Sequence, residues 1–327
     1  MSDQAAQDFA AVRVTHAATG ASIVVHPHGA TLLSWMPAPA PPSLVPSPSG
    51  NGKEVPLDDG EKVVVGGTGD VLFVSSDTVL REDKAIRGGV PIAFPQFAGE
   101  GSLPNHGFAR TSRWTVAEKG DGMIVLTLED NPRTRAVWGH AFKLELRIEF
   151  DDAKCHSTLT VHNTGDAPIE PQALLHTYYR VQNINVVYVE GLTGLTYEDK
   201  VQDFKSFELK DKHLTIKGET DKIFRSAAPQ GKATFTLDAG SGMWRHISLW
   251  AEAGPGDGSG DDASATMKPV PCDAVVWNPW EDKAKAMGDF GDNEFNNMIC
   301  VEPGCVRNKP TIPPGHRFAL HQEISLE

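Results

Sequence analysis

Positive charge is in short supply. Thirty lysines and arginines face 43 acidic side chains, leaving a formal charge of −13 over 327 residues. Nucleic acid and anionic membrane surfaces both call for a basic footprint, so the composition argues against either partner. Cysteine is sparse too. Cys155, Cys272, Cys300 and Cys305 show no CxxC spacing, and a chain of this size needs no disulfide staples, so reduced thiols in the cytoplasm are the expectation. The opening MSDQAAQDFA lacks a basic segment followed by an apolar run, so no secretory leader is expected. No stretch nears the ~18 apolar residues of a membrane helix. Helical periodicity is confined to a turn or two over Glu281–Met287. There is no GxGxxG after a strand, no Walker loop and no local signature of a serine or cysteine nucleophile, which argues against nucleotide and triad chemistry.

What remains is strand. Short alternating or apolar runs recur along the chain, among them Val12–His16, Ser22–His26, Phe142–Phe150, Ser157–Val161, Pro171–Val181, Val275–Trp277 and Met298–Val301, with turn signals such as NTGD at 163–166. Many short strands and few helices predict an all-β fold, a large antiparallel β-sandwich. No repeat of propeller type is present. Nothing in the middle reads as a linker, so one domain over 1–327 is expected. Two excursions should leave its core: a Pro-rich insertion at about 37–70, opening with PAPAPPSLVPSPSGNG, and a Gly/Asp-rich loop at about 251–266.

The chemistry gathers first between Lys84 and Arg113. Arg87 and Arg110 flank a turn-rich connection containing Gly88-Gly89, three prolines, Gln96 and His106. Paired glycines permit unusual backbone angles and close approach of a ligand, and guanidinium forks suit phosphate or carboxylate oxygens. In so acidic a chain, clustered arginines gain weight as an anion site. Three later stretches set polar residues in strand contexts. His176 lies in LLHTYY, either a packed core histidine or an acid/base group. Glu302 precedes a Pro-Gly turn at a strand end, as a structural ion pair or a site carboxylate. Trp277, in VVWNPW, serves equally a core or the apolar face of a sugar. Asp221, before a strand, reads alone as a turn residue. His26-Pro27-His28 has the look of a metal pair, but no third ligand is near, and no metal is expected.

Taken together, KAIRGGVPIAFPQFAGEGSLPNHGFAR, LLHTYYRV, VEGL, TDKIF, DAVVWNPW, KAKAMGDFGDNEFNNMICVEPG and the terminal PPG resemble the glucose-6-phosphate 1-epimerases. These are hexose-6-phosphate mutarotases of the aldose 1-epimerase superfamily, and the resemblance runs from about Gly20 to the C-terminus. It implies the galactose mutarotase-like supersandwich and interconversion of the α and β anomers of an aldohexose 6-phosphate. It further implies Glu302 as base, His176 as acid, His106 as a second imidazole on the ring or anomeric oxygen, and Asp221 on a sugar hydroxyl. Arg87 and Arg110 would clamp the phosphate, with Gln96 and Trp277 as further sugar contacts. No cofactor is implied, and a monomer is expected. Two other functions remain open at this point: an epimerase for unphosphorylated aldoses, and a sugar-phosphate binding protein without catalysis.

Overall fold

The computed structural model describes residues 10–38, 52–240, 244–256 and 266–327. Among the described residues the strands form antiparallel sheets of three, ten, eight and two strands, and the two α-helices, Pro132–Val137 and Trp280–Ala286, are six and seven residues long. The all-β expectation holds. None of the described helices is long and apolar enough to cross a membrane.

The ten-stranded sheet shows why the chain reads so clearly. Phe142–Phe150 and Lys154–Asn163 both alternate buried with less buried residues. They pair in register, Leu146 opposite Leu159, so one face of each is apolar. Asp151 closes the hairpin by accepting from the backbone N–H groups of Ala153 and Lys154, the local bond that makes aspartate a turn residue.

The eight-stranded sheet is different. Its central strands, Cys272–Asn278 and Met298–Cys305, are buried at every position, so both faces are covered. Thr177 and Tyr179 point to one face, where each hydrogen-bonds Gln322 of the larger sheet. Residues of the other parity point away from that sheet. Register places Asp221 opposite Trp277, Trp277 opposite Cys300, Val275 opposite Glu302, and Cys300 opposite Tyr178. Since side chains alternate faces, Asp221, Trp277, Cys300, Glu302 and Tyr178 share the second face.

The run 171–181, expected as one strand, is two: Ala173–Leu175 and Tyr178–Arg180. Both pair with the Glu302 strand, at Gly304 and Cys300 respectively, and the interruption between them falls opposite Glu302. There the backbone of His176 turns aside and donates to the Pro91 carbonyl.

Both expected excursions differ in extent. Residues 39–51 of the Pro-rich stretch lie outside the described residues. Lys53–Pro56 and Lys62–Val65, within the same interval, form a hairpin that buries Val55, Leu57 and Val65 against Val24, Leu33, Val74 and Ile86. The Gly/Asp-rich loop does not begin at 251: the strand Trp244–Pro255 runs on, held by Lys268–Val270 and His316–Leu326 on its two sides. Residues 257–265 lie outside the described residues.

Candidate active site

A cavity of about 240 Å³ opens on the second face of the eight-stranded sheet, below the ~300–1,000 Å³ usual for drug-sized ligands and suited to something nearer a monosaccharide. Its walls include Arg87, His106, His176, Asp221, Trp277 and Glu302, six residues spread over more than two hundred positions of the sequence.

Glu302 is 1% exposed and His176 9%. His176 Nδ1 stands 3.4 Å from Glu302 Oε1, but the two are not in hydrogen-bonding geometry, and neither Nδ1 nor either carboxylate oxygen has a hydrogen-bond partner. The imidazole is held by its neighbours instead. It stacks on Tyr178 at 4.8 Å and 13°, and Trp277 stands edge-on at 5.7 Å. Burial pushes the Glu302 carboxyl well above its ordinary range, and the charge of Asp221 adds to this while Lys200 opposes it. Burial, then His106, Arg110 and Arg87, push His176 well below the usual imidazole value. Burial thus favours the neutral form of both groups, the carboxyl of Glu302 and the imidazole of His176.

His106 sits at φ +63°, a left-handed conformation rare for a residue with a side chain, and such strain collects at functional sites. Its Nδ1 accepts from the backbone N–H of Ala98, which assigns the neutral ring's proton to Nε2. Burial and the cations Arg110, Lys200 and Arg87 keep this imidazole well below its ordinary value too. It meets His176 edge-on at 5.4 Å.

Arg87 is not a free clamp. It donates from Nε and Nη2 to both oxygens of Asp289 and from Nη1 to the Tyr178 hydroxyl, at 3.1–3.2 Å. Burial acts against its charge, and Tyr178 with Asp289 more than restores it. Three of its five N–H groups are thus engaged, and two remain. Arg110 donates from Nη2 to the Asn105 carbonyl, while its covered Nε has no partner. Burial and then Arg87 push Arg110 down to about 10, so it remains a cation at neutral pH and lies within the field of Arg87, though not on the cavity wall itself. Asp221 is raised by burial and steadied by Lys200, whose Nζ is 2.9 Å from Oδ2.

Two expectations need correction. Gln96 does not line the cavity; its amide donates to the carbonyls of Ala98 and Leu103 and accepts from Leu103 N–H, so it is spent on shaping the loop that presents His106. Gly88-Gly89 serves the backbone rather than a ligand. At φ +123° and +65°, a Cβ would come within 2.4 Å of Val74 Cα at the first and 2.1 Å of the Leu32 carbonyl oxygen at the second. His26 and His28 are buried in the local turn: His28 N–H donates to His26 Nδ1, and the His28 ring meets the Lys84 carbonyl.

Sequence reasoning missed Lys200, Lys283 and Asn105 on the cavity wall, and Asp289 and Tyr178 behind Arg87. Tyr178 was within reach, because it lies two residues beyond His176 on a strand and so on the same face. Nothing local marks the others.

A family model described as aldose 1-epimerase matches residues 63–251. A protein of Cenchrus ciliaris, provisionally named a glucose-6-phosphate 1-epimerase, is 32% identical over 268 residues, covering 76% of this chain and 73% of its own length. One from Escherichia coli K12 with the same provisional name is 29% identical, covering 84% and 76%. The crystal structure of a provisionally identified mutarotase from Salmonella typhimurium superposes with a TM-score of 0.67 at 26% identity, over 94% of this chain and 87% of that one.

Proposed function

Because the chain belongs to the aldose 1-epimerase family and is an isomerase of sugar anomers, we propose that its substrate is an aldohexose 6-phosphate, glucose 6-phosphate foremost. The observation that supports this reading is a single cavity whose wall carries the Arg87 guanidinium as well as the His176–Glu302 pair. The phosphate would sit on the two spare N–H groups of Arg87 and on Arg110. The apolar face of the sugar would lie on Trp277, with its hydroxyls on Asp221 and His106.

Inversion at C1 needs one proton taken from the anomeric hydroxyl and one given to the ring oxygen. The ring opens, C1 turns, and closure returns both protons. The His176–Glu302 couple would work with one exchangeable proton, which burial favours on Glu302. Substrate changes that placement in two ways. A dianionic phosphate offsets the arginine contribution that adds to burial and His106 in depressing His176, and the anomeric O–H gives the Glu302 carboxylate the donor it lacks. In the complex the proton then resides on His176, so Glu302 acts as base and His176 as acid. Steps of this kind contribute roughly 10²–10⁴-fold each. A monomer completes the reading, and a phosphorylated sugar with reduced thiols fits a cytoplasmic setting.

Exchange spectroscopy on equilibrated glucose 6-phosphate tests the reading. Protein should raise the α–β exchange rate above buffer, and more for glucose 6-phosphate than for glucose. Equal acceleration of both would favour an epimerase of free aldoses. Binding without acceleration, in folded protein, would overturn catalysis altogether.

A further inference from the structure

Cys300 lies two residues before Glu302 on the same face of the strand, fully buried between its register partners Tyr178 and Trp277. The reaction proposed above gives its thiol no task. Yet the ligand atoms of His176, Cys300 and Glu302 all lie within 4.8 Å of one another. The arrangement also has an unfinished quality: His176 Nδ1 and both Glu302 oxygens are buried without hydrogen-bond partners. In folded proteins such atoms nearly always have a partner, and three together call for an explanation.

We propose that His176 Nδ1, Cys300 Sγ and the Glu302 carboxylate form a binding site for a thiophilic divalent cation, zinc or cadmium, that shuts off the isomerase. Bonds of about 2.0–2.3 Å in a tetrahedral site put neighbouring donors ~3.3–3.6 Å apart. The His176–Glu302 separation of 3.4 Å already meets that spacing. From 4.8 Å at most, the thiol has little more than ~1 Å to travel, a distance shared between rotation of the Cys300 side chain and shifts of its two partners. The donor set of one thiolate, one imidazole and one carboxylate suits zinc rather than magnesium or calcium. Charge is balanced as well. Binding expels the thiol proton and the Glu302 proton to solvent, while neutral His176 gives its lone pair without losing one. A dication with two single anions leaves no net charge in a buried place. Water would complete the tetrahedron. The cation occupies the space between the groups that exchange the substrate's protons, so sugar phosphate and metal exclude each other. This exclusion rests on the proposed function; the site itself does not.

The test uses the full-length chain and cadmium chloride, read by the ultraviolet cadmium–thiolate charge-transfer band, which needs no activity. The expected result is one band equivalent per chain, suppressed by saturating glucose 6-phosphate. Zinc chloride should inhibit anomer exchange in parallel. Cys300→Ser should abolish the band, leave basal exchange in place, and raise the inhibitory zinc concentration at least ~10-fold, roughly the loss of one good ligand. Should that variant fail to fold, Cys300→Ala replaces it, and the wild-type band with and without sugar phosphate stands by itself. A missing wild-type band overturns the proposal. So does a band that survives removal of Cys300, because the metal would then be on Cys155, Cys272 or Cys305. A band at Cys300 in a protein that accelerates no anomer exchange would leave the metal site standing and sink the proposed function instead.

Discussion

Replacing Arg87 by alanine removes more than a pair of phosphate contacts. Asp289, 29% exposed, keeps its guanidinium partner through two hydrogen bonds. Without Arg87 it becomes an unpaired carboxylate beside the phosphate position. A hydrogen bond to a charged group is worth about 1.5–3 kcal/mol. Losing Arg87 should therefore lower kcat/KM for glucose 6-phosphate by roughly 10²-fold, part of it lost attraction and part new repulsion. The two parts separate in a double-mutant cycle. Asp289→Asn in the Arg87→Ala background removes only the repulsion, and should recover roughly 3–10-fold, as expected for directly coupled neighbours. Asp289→Asn alone should instead weaken the enzyme, because it frees the guanidinium from its anchor. The assay is anomer exchange on glucose 6-phosphate with glucose as control, for which all three variants should match wild type. If the single and double variants lose equal activity, or if glucose turnover falls alongside, Asp289 does not bear on phosphate recognition and the reasoning fails.

Other outcomes follow from burial. Activity needs one proton on the His176–Glu302 couple, and the two groups are displaced in opposite senses. In the free enzyme kcat/KM should fall on the acid side below the ordinary imidazole range, and on the basic side above the ordinary carboxyl range, a broad plateau lying between. The folded-state value of Glu302 is raised above its unfolded one, so this residue lowers stability as pH climbs from about 4.3 through the folded value. Glu302→Gln should accordingly raise Tm at pH 8 and gain little near pH 4, while abolishing exchange; a Tm gain that ignores pH would contradict the assignment. Gly88→Ala should cost ~1–3 kcal/mol for left-handed strain alone, with the 2.4 Å clash against Val74 adding to it. Thermal denaturation would read this as a large drop in Tm, and a near-wild-type Tm would refute the close-passage account.

How much was legible beforehand depended on the range of the forces involved. Period-two alternation in Phe142–Phe150 is a local consequence of one apolar face, and it identified the fold class. The long motifs around Arg87, His176 and Glu302 supply side chains that the fold gathers on one cavity. The interruption at His176 was not visible, because LLHTYY reads as unbroken strand and only the Pro91 carbonyl, brought from far along the chain, turns its backbone aside. Asp289 was hidden for a similar reason: an arginine in a half-buried site needs an acid, but 43 acids offer themselves and only the fold selects one. Lys200 opens a short 3-10 helix, Lys200–Gln202, directly after a strand, and its place beside Asp221 comes from pairing of Thr196–Asp199 with Thr220–Ala228. Gly88-Gly89 was singled out for unusual backbone angles, which it has, and for a close ligand, whose place is taken by the backbone of Val74 and Leu32.

The orientation of the sugar phosphate is the point on which the rest turns. A crystal structure with a 6-phosphorylated 1,5-anhydrohexitol, which keeps the ring oxygen but cannot open, would fix it. The account predicts phosphate oxygens on Arg87 and Arg110, and the ring oxygen and C1 between His176 and Glu302. A phosphate held by Lys200 and Lys283, with C1 remote from that pair, would contradict it.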